Sequence, residues 1–244
     1  LESLVKLGKC LITSDKGNKS VNRELATLIY ESLLSYYCPN QFPEKWATLQ
    51  MYLGVAYQKR ILGNQAENKE ASLTALEKAL TVFTLEKFPQ QWAETHCNLG
   101  VAYRNRILGN QAENKETSLI ALQKALTVFT QEKFPQQWAE AQYNLGNTYR
   151  NRIQGDQAEN KETSIQAYQK ALAIFASEHY PVLYAVTEMK LGNAYRNRIR
   201  GEKADNLEDA IAAYRRALNF VNQEEFPTKW ARIQMNLATA YSNR

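Results

Sequence analysis

The sequence predicts an all-α solenoid built from antiparallel helix pairs. The stretch NLGVAYRNRILGNQAENKET at 98–117 returns 46 residues later as NLGNTYRNRIQGDQAENKET at 144–163. An aromatic-Pro pair recurs at the same step: Phe42-Pro43, Phe88-Pro89, Phe134-Pro135, Tyr180-Pro181 and Phe226-Pro227. A fixed period of this size is typical of repeat proteins, in which each repeat contacts mainly its neighbours. No segment carries a strand pattern.

The first helix of a repeat is predicted from Pro89 onward. Proline suits the first helical turn because its φ is preset and no N–H is needed there. Trp92, Leu99, Tyr103 and Ile107 then follow at helical spacing and form one apolar stripe. We expect the four tryptophans to be buried where three helices meet: Trp46, Trp92, Trp138 and Trp230.

Two glycines in this stretch predict a close helix–helix contact and the end of the helix. Gly100 lies inside the apolar stripe, where glycine costs about 1 kcal/mol relative to alanine. Such a glycine indicates a neighbouring helix that approaches closely. Gly109 follows the last apolar residue and is expected to close the helix in the left-handed conformation.

The second helix of the repeat is predicted to start at Asn114, a residue type favoured as an N-cap. Its apolar face comprises Leu119, Leu122, Leu126 and Phe129. This helix is expected to run as far as Glu132-Lys133, before the next aromatic-Pro pair. Each repeat is therefore an antiparallel helix pair, with a helix A followed by a helix B.

The period defines a single array over residues 1–244. A degenerate partial repeat at 1–42 precedes full repeats at 43–88, 89–134, 135–180 and 181–226, and the helix A of a further repeat at 227–244. Both cuts fall inside repeats and the chain starts without methionine, so we expect a piece of a longer protein. Exposed end helices then require more chain, a cap or self-association.

Composition limits the compartment and the partners. No apolar run approaches the about 20 residues of a membrane helix, and no secretory segment is recognisable. The three cysteines do not follow the repeat, which argues against a disulfide framework and favours the cytoplasm. The net charge of +5 is mild, with basic and acidic residues alternating along most of the chain.

No catalytic constellation is present in the sequence. The two histidines, His96 and His179, belong to different repeats, and Cys97 beside His96 projects from another face of its helix. No phosphate loop, CxxC pair or HExxH motif occurs. The sequence therefore predicts a non-catalytic protein without a cofactor or metal.

The helix A pattern of Leu145-Gly146 with Tyr149, and the helix B stretch Asp209–Leu218, resemble the tetratricopeptide repeat (TPR). The resemblance implies a right-handed superhelix whose A helices line a concave groove. The usual TPR period of about 34 residues is shorter than the 46 found here. This long form is similar to arrays beside caspase-like CHAT domains in bacterial multidomain signalling proteins. One alternative function is therefore a regulatory region of such a protease, with the catalytic domain elsewhere.

The groove implied by this resemblance defines candidate peptide-binding residues. They are Arg104, Asn105, Tyr143, Asn147, Arg150, Asn151, Met189, Asn193, Arg196 and Asn197. The arginines are expected to form a basic ladder for carboxylates, and the asparagines to hold a peptide backbone. Tyr143 and Met189 are expected to line the groove rather than the core. The predicted function is a scaffold that binds an acidic or extended peptide segment of another protein or domain.

Two alternatives remain open at this point. Arginines that are constant in the array, namely Arg60, Arg106, Arg152 and Arg198, can complement helix dipoles or pair across the loop with Glu67, Glu113, Glu159 or Asp205. The mild basicity also leaves a nucleic-acid-binding solenoid as an alternative, although the aromatic residues are assigned to the core rather than to a stacking surface.

Overall fold

The computed structural model describes residues 2–14, 17–175 and 179–244. These residues form eleven α-helices joined by short loops, and no β-strand occurs among them. The chain is thus an all-α helical repeat, as predicted. It divides into two compact units, Leu1–Val128 and Phe129–Arg244.

The first unit contains three helix pairs. Its helices are α1 (Glu2–Thr13), α2 (Lys19–Leu34), α3 (Pro43–Lys59), α4 (Gln65–Leu80), α5 (Pro89–Arg104) and α6 (Gln111–Leu126). Odd-numbered helices are the A helices and even-numbered ones the B helices. Within the unit each A helix packs on the B helix that follows, each B helix on the next A helix, and neighbouring A helices touch each other.

The second unit repeats this arrangement. Its helices are α7 (Pro135–Arg150), α8 (Gln157–Ile174), α9 (Pro181–Arg196), α10 (Lys203–Leu218) and α11 (Pro227–Asn243). Helices α7 and α8 form one pair and α9 and α10 the next, and α11 packs on α10 and α9. Helices α3, α5, α7, α9 and α11 each begin with proline. In each of them the N-cap residue before the proline is aromatic.

Helices A and B of a pair run antiparallel, as the contacts between α5 and α6 show. Near the start of α6, Lys115 donates to the carbonyl oxygen of Arg104, the last residue of α5. One turn later, the Ser118 hydroxyl donates to the Gly100 carbonyl at 2.7 Å. Contacts thus move backward along α5 as they move forward along α6.

The glycine inside each A helix lies directly against the B helix. A Cβ atom added to Gly100 would be 2.7 Å from Cγ of Leu122, far inside van der Waals contact. The same closeness is found at Gly8 with Tyr30, Gly54 with Leu76, Gly146 with Tyr168, and Gly192 with Tyr214. The predicted close approach of a neighbouring helix is confirmed, and it occurs within every described A–B pair.

The helix ends differ from the prediction. Helix α5 ends at Arg104, and Ile107 beyond it is 51% exposed rather than part of the buried stripe. Gly109 has a φ of +78°, but it lies in the A–B loop and does not close α5. The N-cap of α6 is Asn110, which follows that glycine, and not Asn114. The glycine lets the chain turn into the capping residue.

The B helices are also shorter than predicted. Helix α6 ends at Leu126, so Phe129 and Glu132-Lys133 lie beyond it, although Phe129 is only 2% exposed. In the first unit the corresponding Phe83 is fully buried after the end of α4, with its ring 5.6 Å from that of Phe88. The four tryptophans are half-buried rather than buried: Trp46, Trp92, Trp138 and Trp230.

Replacing Gly100 with alanine tests the A–B contact. Helix propensity alone would stabilise the protein by about 1 kcal/mol. We expect the clash with Leu122 to outweigh this, so that the free energy of unfolding falls by about 1–3 kcal/mol in a urea titration. Ala238 occupies the equivalent position of α11, is exposed, and provides the matched control. Ala238→Gly should lower the free energy of unfolding only by the difference in helix propensity between alanine and glycine. Stabilisation by Gly100→Ala would contradict the contact.

Candidate functional site

Most polar residues of the recurring motif hold the loop between helices A and B. In the loop before α6, the Asn110 side chain accepts hydrogen bonds from the backbone N–H of Ala112 at 2.9 Å and of Glu113 at 3.3 Å. Buried Asn114 donates to the Leu108 carbonyl at 2.9 Å. Lys115 donates to the carbonyl of Arg104, the last residue of α5. Partial burial of the Lys115 ammonium group lowers its pKa. These polar residues therefore recur because each repeat needs the same hydrogen bonds in its A–B loop.

Three of the arginines that are constant in the array, Arg60, Arg106 and Arg198, join successive repeats within a unit. Arg106 forms two hydrogen bonds with the Glu70 carboxylate on the preceding B helix, at 2.8 and 2.7 Å. Arg60 pairs with Glu24 and Arg198 with Glu162 in the same way. The hydrogen bonds lower the pKa of the three carboxyl groups. The expected structural role is present, but the partner is on the preceding repeat rather than across the loop.

Asn147 and Asn193 face tyrosine hydroxyls of helix B. Asn147 is 6% exposed; its amide donates to the Tyr143 carbonyl at 3.0 Å, and its Oδ1 accepts from the Tyr168 hydroxyl at 3.1 Å. This corrects the expectation that Asn147 is a groove amide free to hold a peptide. Asn193 is half-buried and its Oδ1 accepts from the Tyr214 hydroxyl at 2.8 Å. No described residue accepts from its Nδ2.

The sequence carries a signal for these pairs that the groove assignment missed. Repeats with asparagine at this position of helix A have tyrosine at the facing position of helix B: Asn147 with Tyr168, and Asn193 with Tyr214. The two preceding repeats have Val55 with Leu76 and Val101 with Leu122. In these four repeats the two residues change together, because a buried hydroxyl needs an acceptor.

Asn105, Asn151 and Asn197 are the exposed C-cap residues of α5, α7 and α9. Asn151 donates to the Asn147 carbonyl at 3.0 Å, and Asn197 to the Asn193 carbonyl at 2.7 Å. The amides of Asn151 and Asn197 thus satisfy carbonyl groups near the helix end.

Met189 is 4% exposed and packs in the core of α9, α10 and α11. The expectation that it lines the groove is wrong, because its side chain is buried among residues of neighbouring helices. The equivalent Met51 is also buried, at 2%. Tyr143 differs: it is half-buried, its ring lies 6.1 Å from that of Tyr168, and it lines a cavity.

The candidate binding arginines Arg104, Arg150 and Arg196 are the last residues of α5, α7 and α9, and all three are half-buried. The positive charges of Arg196 and Arg150 both favour the ionised form of Tyr214 and so lower its pKa. Burial has the larger effect and raises the pKa of Tyr214 to about 12. The Nε atom of Arg150 is buried without a hydrogen-bond partner in the described structure. Arg104 belongs to the first unit and has a partner within the chain.

Cavities between neighbouring A helices were not predicted from the sequence. One of about 440 Å³ lies between α1 and α3, and one of about 220 Å³ between α7 and α9. The two cavities lie three repeats apart and are lined by residues at equivalent positions. Val5 corresponds to Tyr143, Tyr37 to Phe175, and Thr48 to Val186. Equivalent cavities therefore form at two places in the array, and their lining residues differ in chemistry.

His96 lies in the protein interior, and its neighbour Cys97 is less buried. His96 is buried against Trp92, with ring centroids 4.3 Å apart, and its Nδ1 has no partner in the described structure. Cys97 is half-buried. No three or more His, Cys, Asp or Glu residues within the described ranges form a metal site. No helix in these ranges is long and apolar enough to cross a membrane.

Comparison with models of known protein families and with curated proteins found no match. The features that bear on function are consequently those of the geometry: the arginines near Tyr214, the amide of Asn193, and the cavities between A helices.

Replacing Asn147 tests its pairing with Tyr168. Asn147→Val leaves the buried hydroxyl without its acceptor, so we expect a loss of about 1–3 kcal/mol in the free energy of unfolding. The double variant Asn147→Val, Tyr168→Leu reproduces the Val–Leu pair of the preceding repeats. It should recover most of that loss by urea denaturation. Equal stability of the single and double variants would show that the hydrogen bond is unimportant.

His96 makes stability depend on pH. Burial, with a smaller contribution from Lys124, lowers its pKa from 6.5 to about 4. Between these values the unfolded chain binds a proton that the folded chain does not, so stability falls as pH decreases through this window. His96→Gln introduces the residue found at the equivalent positions Gln50 and Gln142. From about pH 7 to about pH 4.5, the parent should lose roughly 2 kcal/mol more than the variant. Parallel pH profiles would refute this.

Proposed function

We propose that this chain is a non-catalytic protein-interaction module that binds an acidic, extended segment along its A helices. The observation that carries the proposal is that two half-buried arginines at the ends of successive A helices, Arg150 and Arg196, both act electrostatically on the Tyr214 hydroxyl. Two half-buried guanidinium groups on successive repeats offer a binding position for carboxylates. The arginines that join repeats, such as Arg198, already have carboxylate partners and are not available for this role.

The neighbouring groups extend this position beyond simple charge. Asn193 is oriented by the Tyr214 hydroxyl at its Oδ1, and its Nδ2 retains hydrogen for a peptide carbonyl. A guanidinium group presents a planar set of donors that matches a carboxylate in a bidentate manner. The pair of arginines supplies attraction, and Asn193 supplies a directional contact to the backbone.

The proposed partner is an acidic segment of a separate protein or of another domain of the same chain. Such a role is that of a scaffold within a larger multidomain protein. Charge attraction is expected to increase the association rate and to weaken with salt, while contacts between packed side chains set the lifetime of the complex. Binding to unrelated oligonucleotides with a steep salt dependence is the behaviour of the nucleic-acid alternative.

The decisive comparison uses two triple variants with equal changes in net charge. Arg104→Ala, Arg150→Ala, Arg196→Ala removes the candidate arginines, and Lys78→Ala, Lys124→Ala, Lys170→Ala removes exposed lysines of the B helices. The probe is a fluorescent peptide of alternating Glu and Ser, with a Gln and Ser peptide as the neutral match. We expect the arginine variant to weaken Glu-peptide binding at least about tenfold, or about 1.4 kcal/mol.

The lysine variant should bind the Glu peptide like the parent, and circular dichroism should show that both variants remain helical. If both variants bind the peptide as the parent does, the arginines have no role in binding. Single-stranded DNA competing strongly at low salt, with a steep loss at higher salt, would favour the nucleic-acid alternative instead.

A further inference from the structure

The cavity between α1 and α3 differs in chemistry from its counterpart between α7 and α9. Lys6, Lys9 and Lys45 line the first cavity. The equivalent residues of the second unit are Asn144, Asn147 and Leu183, so the counterpart has no cation at these positions. Equivalent cavities thus occur in both units, and the residues at these three positions make the first one basic.

The three lysines are exposed, and none forms an ion pair within the described part of the chain. Lys9 Nζ lies 4.4 Å from the centre of the Tyr52 ring, and Lys45 Nζ lies 5.5 Å from that of Tyr37. The aromatic rings therefore hold ammonium groups over the cavity without neutralising them. Their positive charge remains available to a ligand.

The inside of the cavity is apolar. Leu49 is 2% exposed, and Val5, Tyr37 and Tyr52 are half-buried. A volume of about 440 Å³ is within the range of cavities that accept a small ligand or a large side chain. Cations at the surface above an apolar interior complement a group that combines an apolar side chain with neighbouring negative charge.

We propose that this cavity is a separate anchor site for a peptide in which a large apolar side chain is flanked by acidic residues. The apolar side chain enters between α1 and α3 and contacts Leu49 and Tyr52. The flanking carboxylates pair with Lys6, Lys9 and Lys45 at the surface. This site is formed only by residues of the first unit and does not depend on Arg150 or Arg196.

Two carboxylates also line the cavity and give the proposal a second test. Glu2 and Glu44 are exposed and offset part of the lysine charge. An acidic peptide must overcome their repulsion. Removing one of them, by Glu44→Gln, should therefore increase affinity for an acidic peptide and leave affinity for a neutral peptide unchanged.

The probe is the blocked tripeptide Ac-Glu-Phe-Glu-NH2, with Ac-Gln-Phe-Gln-NH2 as the neutral match and Ac-Glu-Gly-Glu-NH2 as the match without an apolar side chain. Binding to the full chain is followed by NMR through the ring resonances of Tyr37 and Tyr52. We expect the acidic phenylalanine peptide to shift both resonances and to bind at least about tenfold more tightly than either match.

The informative variant is Lys6→Asn, Lys9→Asn, Lys45→Leu, which installs the residues found at the equivalent positions of the second unit. It should reduce affinity for the acidic peptide at least about tenfold, whereas Lys78→Asn, Lys87→Asn, Lys124→Asn, with the same charge change on exposed residues, should reduce it less than about twofold. Unchanged tyrosine resonances at saturating peptide, or equal effects of the two variants, would overturn the proposal. Either result is independent of the Arg150 and Arg196 comparison, because those arginines are intact in every protein used here.

Discussion

The close approach of helix A to helix B at one glycine per repeat is the contact on which the remaining geometry depends. At Gly100 the backbone of α5 lies against Leu122, which leaves no room for a Cβ atom. This closeness brings the Gly100 carbonyl within 2.7 Å of the Ser118 hydroxyl. It also sets the register in which the next helix A residue faces helix B. In the later repeats that register places Asn147 and Asn193 against tyrosine hydroxyls, so the polar pairs follow from the glycine.

A second set of contacts connects one repeat to the next. The Arg106 guanidinium binds the Glu70 carboxylate of the preceding B helix, and the Gln58 amide donates to the Asn98 carbonyl of the following A helix at 2.9 Å. Half-exposed ion pairs of this kind add little stability individually. Their contribution is geometric, because bidentate pairing fixes the orientation of one repeat on its neighbour. Most polar residues that recur in the array either form these contacts or make hydrogen bonds that fix the A–B loop.

The positions that we propose for recognition lie where copies of the repeat differ. Arg150 and Arg196 end successive A helices of the second unit and both act electrostatically on Tyr214, while Lys6, Lys9 and Lys45 line an apolar cavity in the first. Both arrangements favour negative charge, but one offers planar guanidinium donors beside an amide, and the other offers ammonium groups above an apolar interior. A partner that uses both would need acidic residues in each bound segment and a large apolar side chain in only one.

The sequence by itself determined the helical repeat, its period, the proline at the start of each A helix and the glycine contact. These follow from local spacing and from the space that one residue type occupies. The tertiary structure alone decided the buried state of Met189, the internal bonding of Asn147 and the ion pair of Arg106 with the preceding repeat. Helical spacing assigns a residue to a face, but which neighbour covers that face depends on how helices pack. The charge of the cavity between α1 and α3 arises for the same reason, since residues distant in sequence meet there only after neighbouring A helices are in contact.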